Sequence, residues 1–137
     1  MIEISSSAMV DALDSVLLSK LTPMLVGSPG IGKSDIVAQV TNTFSNSHLI
    51  DIRLSLWDPT DIKGIPYFDS NIGKMVWGAP NELPDEKMAE QYDNIVLFLD
   101  EMNSAPPAVQ AAAYQLILNR RVGQYKLPDN VIIVAAG

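Results

Sequence analysis

The 137-residue sequence predicts an α/β three-layer sandwich built on a mainly parallel sheet. Two observations carry this expectation. Wholly apolar runs of strand length alternate along the chain with segments of helical periodicity, and strands apolar on both faces are those covered by helices on both sides. In addition, a glycine-rich loop stands where the first such run meets a predicted helix, an arrangement typical of parallel α/β sheets.

Taken in order, residues 8–20 place Val10, Leu13, Val16 and Leu17 on one helical face, with Ser7 as the N-cap. Residues 23–26 (PMLV) form a short apolar run ending in Gly27 and read as a buried strand. A helix is expected from about Gly32 to Phe44, burying Ile36, Val37 and Val40. Residues 48–56 (HLIDIRLSL) alternate apolar and polar, the period of a strand. The following stretch, 57–81, is punctuated by Gly and Pro and holds a hairpin: 65–68, a turn over 69–73, then 74–77. Residues 84–92 read as a short acidic helix, and 95–99 (IVLFL) as a central strand. Ser104 is expected to cap an Ala-rich helix carrying Pro106 and Pro107 in its first turn, with Val109, Ala113, Leu116 and Ile117 facing the core. Gly123 is expected to end that helix, and 131–135 (VIIVA) is a further apolar strand.

Composition narrows the function. The chain is 47% hydrophobic and 18% charged, one domain's worth of sequence with a core of ordinary size. With no cysteine, disulfides, thiolate metal sites and Cys nucleophiles are excluded, and the single histidine, His48, excludes a His-rich metal site. Nine scattered Lys and Arg against sixteen Asp and Glu give a net charge of −7, which disfavours nucleic acid as a partner. No apolar run approaches the ~20 residues of a bilayer span. The N-terminus carries acids where a signal peptide carries bases. The expectation is a cytoplasmic single domain over 1–137: an N-terminal helix (1–22), a phosphate-loop half (23–56), a loop and hairpin insert (57–81), and a half carrying an acidic pair (82–137).

The sequence Gly27-Ser28-Pro29-Gly30-Ile31-Gly32-Lys33-Ser34 fits G-x-x-x-x-G-K-[ST] between a predicted strand and a predicted helix, the context this phosphate-binding motif needs. Its glycines let successive N–H groups converge on phosphate oxygens, and the helix N-terminus adds a favourable dipole. Lys33 is expected to reach the β- and γ-phosphates and the Ser34 hydroxyl to bind Mg²⁺. Asp35 closes the nucleotide-binding set 27–35, although an acid in a first helical turn is stabilised by the dipole in any case. Asp100 and Glu101 directly follow the apolar run 95–99. A parallel sheet brings its strands' carboxyl ends to the edge that holds the phosphate loop. Asp100 is therefore the second metal-holding residue, and Glu101 the base that orients a water toward the γ-phosphate. A phosphotransferase has no need of that second acid; a hydrolase does.

The stretch LDEMNSAPPAVQAAAYQLILNRRVG (99–123) resembles the segment after Walker B in the MoxR-like branch of AAA+ ATPases, which includes dynein- and McrB-type modules. WDPTDIKG (57–64) and the hairpin after it resemble the loop and helix-2 insert of the same branch. The resemblance covers roughly residues 9–137 with its motifs in family order. It implies a P-loop NTPase sandwich of AAA+ type, with ATP and Mg²⁺ bound and a five-stranded sheet of order 5-1-4-3-2, four strands of which fall in this chain. It makes 27–34 Walker A and Asp100–Glu101 Walker B, and it adds Asn103 to the catalytic set. Arg120 and Arg121 match the basic end of the following helix, near the neighbouring subunit of a ring. Ser104 stands where the family has Arg. The sequence stops at Gly137, ahead of the family's sensor-1 Asn, fifth strand, arginine finger and lid, so an N-terminal piece of a longer ATPase is expected.

Other residues carry two readings each. Arg120 and Arg121 either act in trans on a neighbour's γ-phosphate or complement the helix dipole. Ser55 is first an ordinary strand-end serine and, as the alternative, a group holding Glu101 in an inactive pose. Trp57, Trp77, Tyr67 and Phe68 either grip a substrate or pack on their own domain. Asp58 and Asp61 read as turn and cap formers, and His48 as structural. The function expected is Mg²⁺-dependent ATP hydrolysis by a ring-forming, chaperone-like homo-oligomer, hexameric by family resemblance, that remodels or matures a partner protein. Two alternatives stay open: a nucleotide-binding assembly module without turnover, and a McrB-like motor on nucleic acid.

Overall fold

In the computed structural model, the structure describes Ser15 and residues 22–26, 32–78 and 82–137. Apart from Ser15, the helix expected over 8–20 lies outside these described residues, as do the loop residues 27–31.

The strand Asn94–Asp100 (β5) occupies the middle of the fold, with residues 95–99 all fully buried. It pairs in parallel with Ser47–Arg53 (β2) on one side and Val131–Ala136 (β8) on the other, and β8 pairs in parallel with Met24–Leu25 (β1). The four-stranded order is β1-β8-β5-β2. Counted in sequence within this sheet, that is 1-4-3-2, the part of the 5-1-4-3-2 order that the resemblance implied. The α/β sandwich with a mainly parallel sheet is the fold found.

Side chains of a strand alternate between faces, and this one sheet therefore builds two cores. Ile95, Leu97 and Leu99 of β5, with Val131, Ile133 and Ala135 of β8, pack against the helix Pro107–Asn119 (α4) through Val109, Ala112, Ala113 and Leu116. Val96 and Phe98, with Val134 and Ala136, face the opposite way and meet Ile36, Val37 and Val40 of the helix Lys33–Thr41 (α1). The expected core positions of both helices are buried, Ile117 only partly.

Element ends differ from the expectation in physically instructive ways. Helix α1 stops at Thr41 instead of near Phe44, because the N–H groups of Thr43 and Phe44 bond to the carbonyls of Val40 and Thr41, an i→i+3 tightening. Strand β2 ends at Arg53, and residues Leu54–Leu56 form a 3₁₀ turn instead of continuing the alternation. Leu54 is fully buried, whereas Leu56 is left 77% exposed. Ser104 does not cap α4. It belongs to the 3₁₀ turn Met102–Ser104, and the position before α4 is held by Pro106, followed by Pro107 at the first helical residue. A proline there has no N–H to satisfy, so the cap loses part of its purpose. Gly123 does not end α4 either. The terminating left-handed residue is Arg120 (φ 57°), and Gly123 (φ 59°) turns a small hairpin between Arg121–Val122 (β6) and Tyr125–Lys126 (β7) that the sequence reading did not anticipate.

The insert follows the expectation more closely. Asp58 and Asp61 form a reciprocal capping box on the helix Pro59–Lys63 (α2), whose Ile62 is buried. Ile65–Asp69 (β3) and Lys74–Gly78 (β4) pair antiparallel around a turn in which Asp69 Oδ1 accepts from the Asn71 N–H. Trp57 is buried in the larger core, apart from the hairpin's Tyr67, Phe68 and Trp77, which are exposed. At the opposite end of the sheet, His48 stacks on Tyr92 with ring centroids 4.8 Å apart, the structural role expected of it. Tyr92 follows the helix Glu86–Gln91 (α3), whose N-cap Asp85 accepts from the Met88 N–H. Near that helix the Tyr125 hydroxyl donates to the Pro84 carbonyl at 2.5 Å, and burial pushes its phenol well above the usual tyrosine range.

Two substitutions test this layering by urea unfolding. Phe98→Ala empties a fully buried site between the sheet and α1 and is expected to cost about 3–5 kcal/mol. Asp58→Ala removes one half of the capping box and should cost about 1 kcal/mol.

Candidate functional site

The site is assembled at the carboxyl edge of the parallel sheet, where the chain leaves β1, β5 and β8. From β1 the chain enters α1 through Gly32, whose left-handed backbone (φ 74°, ψ 31°) suits glycine. Lys33 is then the first residue of α1, and its ammonium donates to the Gly137 carbonyl at 2.9 Å, just beyond the tip of β8. This bond spans the layer from α1 to the sheet and holds the lysine at the carboxyl edge of the sheet. Ser34 and Asp35 follow in the first turn, Asp35 exposed. The remaining expected loop residues, Gly27, Ser28, Pro29, Gly30 and Ile31, lie outside the described residues.

Gly137 also meets the side chain of Asn103: a Cβ at position 137 would collide with the Asn103 amide. Asn103 itself lies in the 3₁₀ turn after β5. That turn is held from α4 by Gln110, whose Nε2 donates to the carbonyls of Asn103 (3.3 Å) and Ala105 (3.1 Å). Fully buried Met102 anchors it from below. Asn103 and Lys33, far apart in sequence, are thus gathered at Gly137, the residue that follows β8.

Asp100 ends β5, and its Oδ1 accepts from the Glu101 N–H at 2.8 Å. Glu101 takes a left-handed backbone (φ 55°, ψ 39°), which for a residue with a side chain costs on the order of 1–2 kcal/mol. Such strain concentrates where a side chain must be aimed. Its carboxylate is aimed toward β2: the Ser55 hydroxyl donates to Oε2, and Arg53 Nε lies 3.6 Å from Oε1. Ser55 thus contacts Glu101, as holding it in an inactive pose would require, and it stands inside a 3₁₀ turn instead of at a strand end. Arg53 was not singled out from the sequence. Only the parallel register, which sets Arg53 directly beside Asp100, reveals it. Asp51, on the same face of β2, has a carboxyl raised above its ordinary value, first by partial burial, then by the Asp100 charge, with Arg53 opposing.

Arg120 and Arg121 leave α4 in different situations. The Arg120 guanidinium donates to the carbonyls of Pro128 and Val131, both at 2.8 Å, and so braces the approach to β8. Arg121 begins β6 and is exposed.

The carboxylate of Asp100 and the hydroxyl of Ser34 are by chemistry the oxygen donors that suit a hard cation such as Mg²⁺, which takes one or two protein oxygens and fills the rest of its shell with water and phosphate. Among the described residues no cluster of three or more His, Cys, Asp or Glu is arranged to hold a metal without such help. Nor is any helix among them long and apolar enough to cross a membrane.

No protein-family model matches the chain, and no curated protein matches it in sequence. Its structure is similar to solved ones. A candidate ATPase from Cytophaga hutchinsonii aligns over 97% of this chain at a TM-score of 0.61 with 19% identity. NtrX from Brucella abortus aligns over 98% at 0.56 with 16% identity. The chain spans 38% and 31% of those two proteins. At such identities the likeness establishes the α/β fold alone.

The Asp51 environment sets a pH dependence. A carboxyl whose native pKa is raised stabilises the fold below its unfolded value, near 3.8, and that contribution is lost as pH rises through the native value. Asp51→Asn should therefore be more stable than wild type at neutral pH, with the difference vanishing below about pH 3.8; urea midpoints at the two pH values check this.

Proposed function

We propose that this chain is the nucleotide-binding core of an Mg²⁺-dependent ATPase of the MoxR-like AAA+ branch. The observation that supports this most is the convergence on one sheet edge of the α1 N-terminus with Lys33 and of the β5 end with Asp100 and Glu101. A phosphate-binding lysine, a metal-holding carboxylate and a second carboxylate in one place are what hydrolysis of a phosphoanhydride requires.

In this reading Gly27–Ser34 cradle the phosphates of ATP, with Gly30, Gly32 and Lys33 closest to the charge. Lys33 exchanges the Gly137 carbonyl for phosphate oxygens. Ser34 and Asp100 hold Mg²⁺, which when bound neutralises charge on the phosphate oxygens. Glu101 accepts the proton of a water positioned for in-line attack, and this requires its carboxylate within about 3 Å of that water. Asn103, held beside Gly137, offers an amide to the same space. In the geometry described, Glu101 is turned toward Ser55 on the β2 side, a resting arrangement from which it must depart to reach a water.

Of the two arginines, Arg121 is the one to act on a neighbouring subunit's γ-phosphate. Arg120 is committed to the carbonyls of Pro128 and Val131. The proposed assembly is a homo-oligomeric ring, hexameric by family resemblance, that uses ATP to remodel or mature a protein partner in the cytoplasm. The exposed aromatic residues of the β3–β4 hairpin suit contact with such a partner.

Binding of a fluorescent ATP analogue tests the first step: wild type binds in the presence of Mg²⁺, and Lys33→Ala lowers affinity by about tenfold or more, the equivalent of one charge-assisted contact. Glu101→Gln should retain analogue binding while lowering turnover by about a hundredfold or more, the contribution of a general base. Unaltered turnover in Glu101→Gln would remove Glu101 from the mechanism.

A further inference from the structure

The 3₁₀ turn after β5 bonds to its own backbone only as far as its sequence allows. The Ser104 N–H donates to the Glu101 carbonyl at 3.1 Å, and the Ala105 N–H to the Met102 carbonyl at 3.3 Å. The Asn103 carbonyl is next in this series. Its donor would be the N–H of residue 106 in a 3₁₀ continuation, or that of residue 107 in an α-helical one. Both positions are proline and have no N–H to give. The Ala105 carbonyl also falls outside the helical ladder, which opens one residue later where the Gln110 N–H donates to the Pro106 carbonyl at 2.9 Å.

The side chain of Gln110 supplies what the two prolines withhold. Its Nε2 donates to the carbonyls of Asn103 at 3.3 Å and of Ala105 at 3.1 Å. An amide nitrogen carries two hydrogens, one for each. Because both neighbours are acceptors, the amide can face them only with its nitrogen. Backbone and side chain together, Gln110 bonds three carbonyls between residues 103 and 106. The helix that carries it is packed on the sheet through Val109, Ala112, Ala113 and Leu116. The turn is thereby tied to the core through α4.

We propose that Gln110 is a positioning residue for ATP hydrolysis: its amide sets the orientation of the Met102–Ser104 turn, and through it the place from which Asn103 reaches the nucleotide. The inference rests on the ATPase reading above and adds to it the residue that aligns the turn beyond the acidic pair. Gln110 touches no reactant. Asn103 is exposed, so when the amide is removed water can take over its carbonyl. The fold then survives, but the 103–104 peptide is free to rotate outward, and the Asn103 side chain, which lies against Gly137, moves with it. Misplacement of this kind lowers the rate of the chemical step and leaves phosphate binding by Lys33 intact.

The test measures steady-state ATP turnover and affinity for a fluorescent ATP analogue in the wild-type chain, Gln110→Ala, Gln110→Glu and Asp58→Ala. Gln110→Ala should lower kcat about tenfold or more with analogue affinity unchanged. Asp58→Ala, which weakens the fold at the remote capping box, should keep the wild-type kcat and so separates alignment from general loss of stability. Gln110→Glu presents an ionised carboxylate to two carbonyl oxygens and cannot donate. Partial burial raises the pKa of the introduced carboxyl, and once protonated it has an O–H to give. Its kcat relative to wild type at the same pH should therefore be low near about pH 8 and rise severalfold toward about pH 5.5. Unchanged kcat in Gln110→Ala, a loss confined to KM or analogue affinity, an equal loss of kcat in Asp58→Ala, or a Gln110→Glu ratio that stays flat with pH would each overturn the proposal. So would a wild-type chain that binds the analogue and turns over no faster than Lys33→Ala. If no analogue binds at all, the ATPase reading fails and the inference with it. If binding and turnover both depend on Lys33 and Gln110→Ala is silent, only the role of Gln110 fails.

Discussion

The rest of the structure depends on one constraint, the burial of β5 on both faces and both edges. Its residues 95–99 are closed off by α4 on one side, α1 on the other, and by β2 and β8 laterally. Such a strand has no freedom to shift, since a slip of one residue would exchange every side chain between the two cores. Asp100 and Glu101, the first residues to emerge, inherit that rigidity. The catalytic role proposed for Glu101 needs a position fixed to a fraction of an ångström, and the fixed strand that precedes it is held by the burial of Ile95 through Leu99.

Where rigidity ends, strain begins. Directly after β5 the chain turns through a left-handed glutamate into a 3₁₀ turn, and the cost of that turn is met by neighbours: Met102 buried beneath it, Gln110 bonded to its carbonyls, and Ser55 with Arg53 on the Glu101 carboxylate. The same few residues separate two groups of side chains at the edge. The β1–β8 side gathers Lys33, Gly137 and Asn103; the β2 side gathers Arg53 and Ser55. Glu101 stands on the boundary between them.

The motifs were legible because their chemistry is local. The string from Gly27 to Ser34, the pair Asp100–Glu101, the capping box of Asp58 and Asp61 and the hairpin turn at 69–73 each depend on residues within one short segment. Less legible were the points where two local signals compete. A serine three residues before a helix resembles a cap, yet Pro106 at the capping position and Pro107 at the first helical residue set the helix start and leave the serine in a turn. A glycine after a helix resembles its terminator, yet Arg120 takes the left-handed position because its guanidinium is held by Pro128 and Val131, and Gly123 is then left to turn a hairpin.

By itself, then, the sequence determined the class of fold and most of its longer strands and helices, and it singled out the candidate phosphate-loop and acidic residues, because periodicity and short-range spacing carry that information directly. Only the tertiary structure decided which strand neighbours which, and with it everything that depends on register. Arg53 and Asp100 are 47 positions apart in the chain and adjacent in the sheet; Lys33 and Gly137 are 104 apart and hydrogen-bonded. Pairings of this kind follow from how two cores close simultaneously around one buried strand, and no local pattern along the chain encodes that closure.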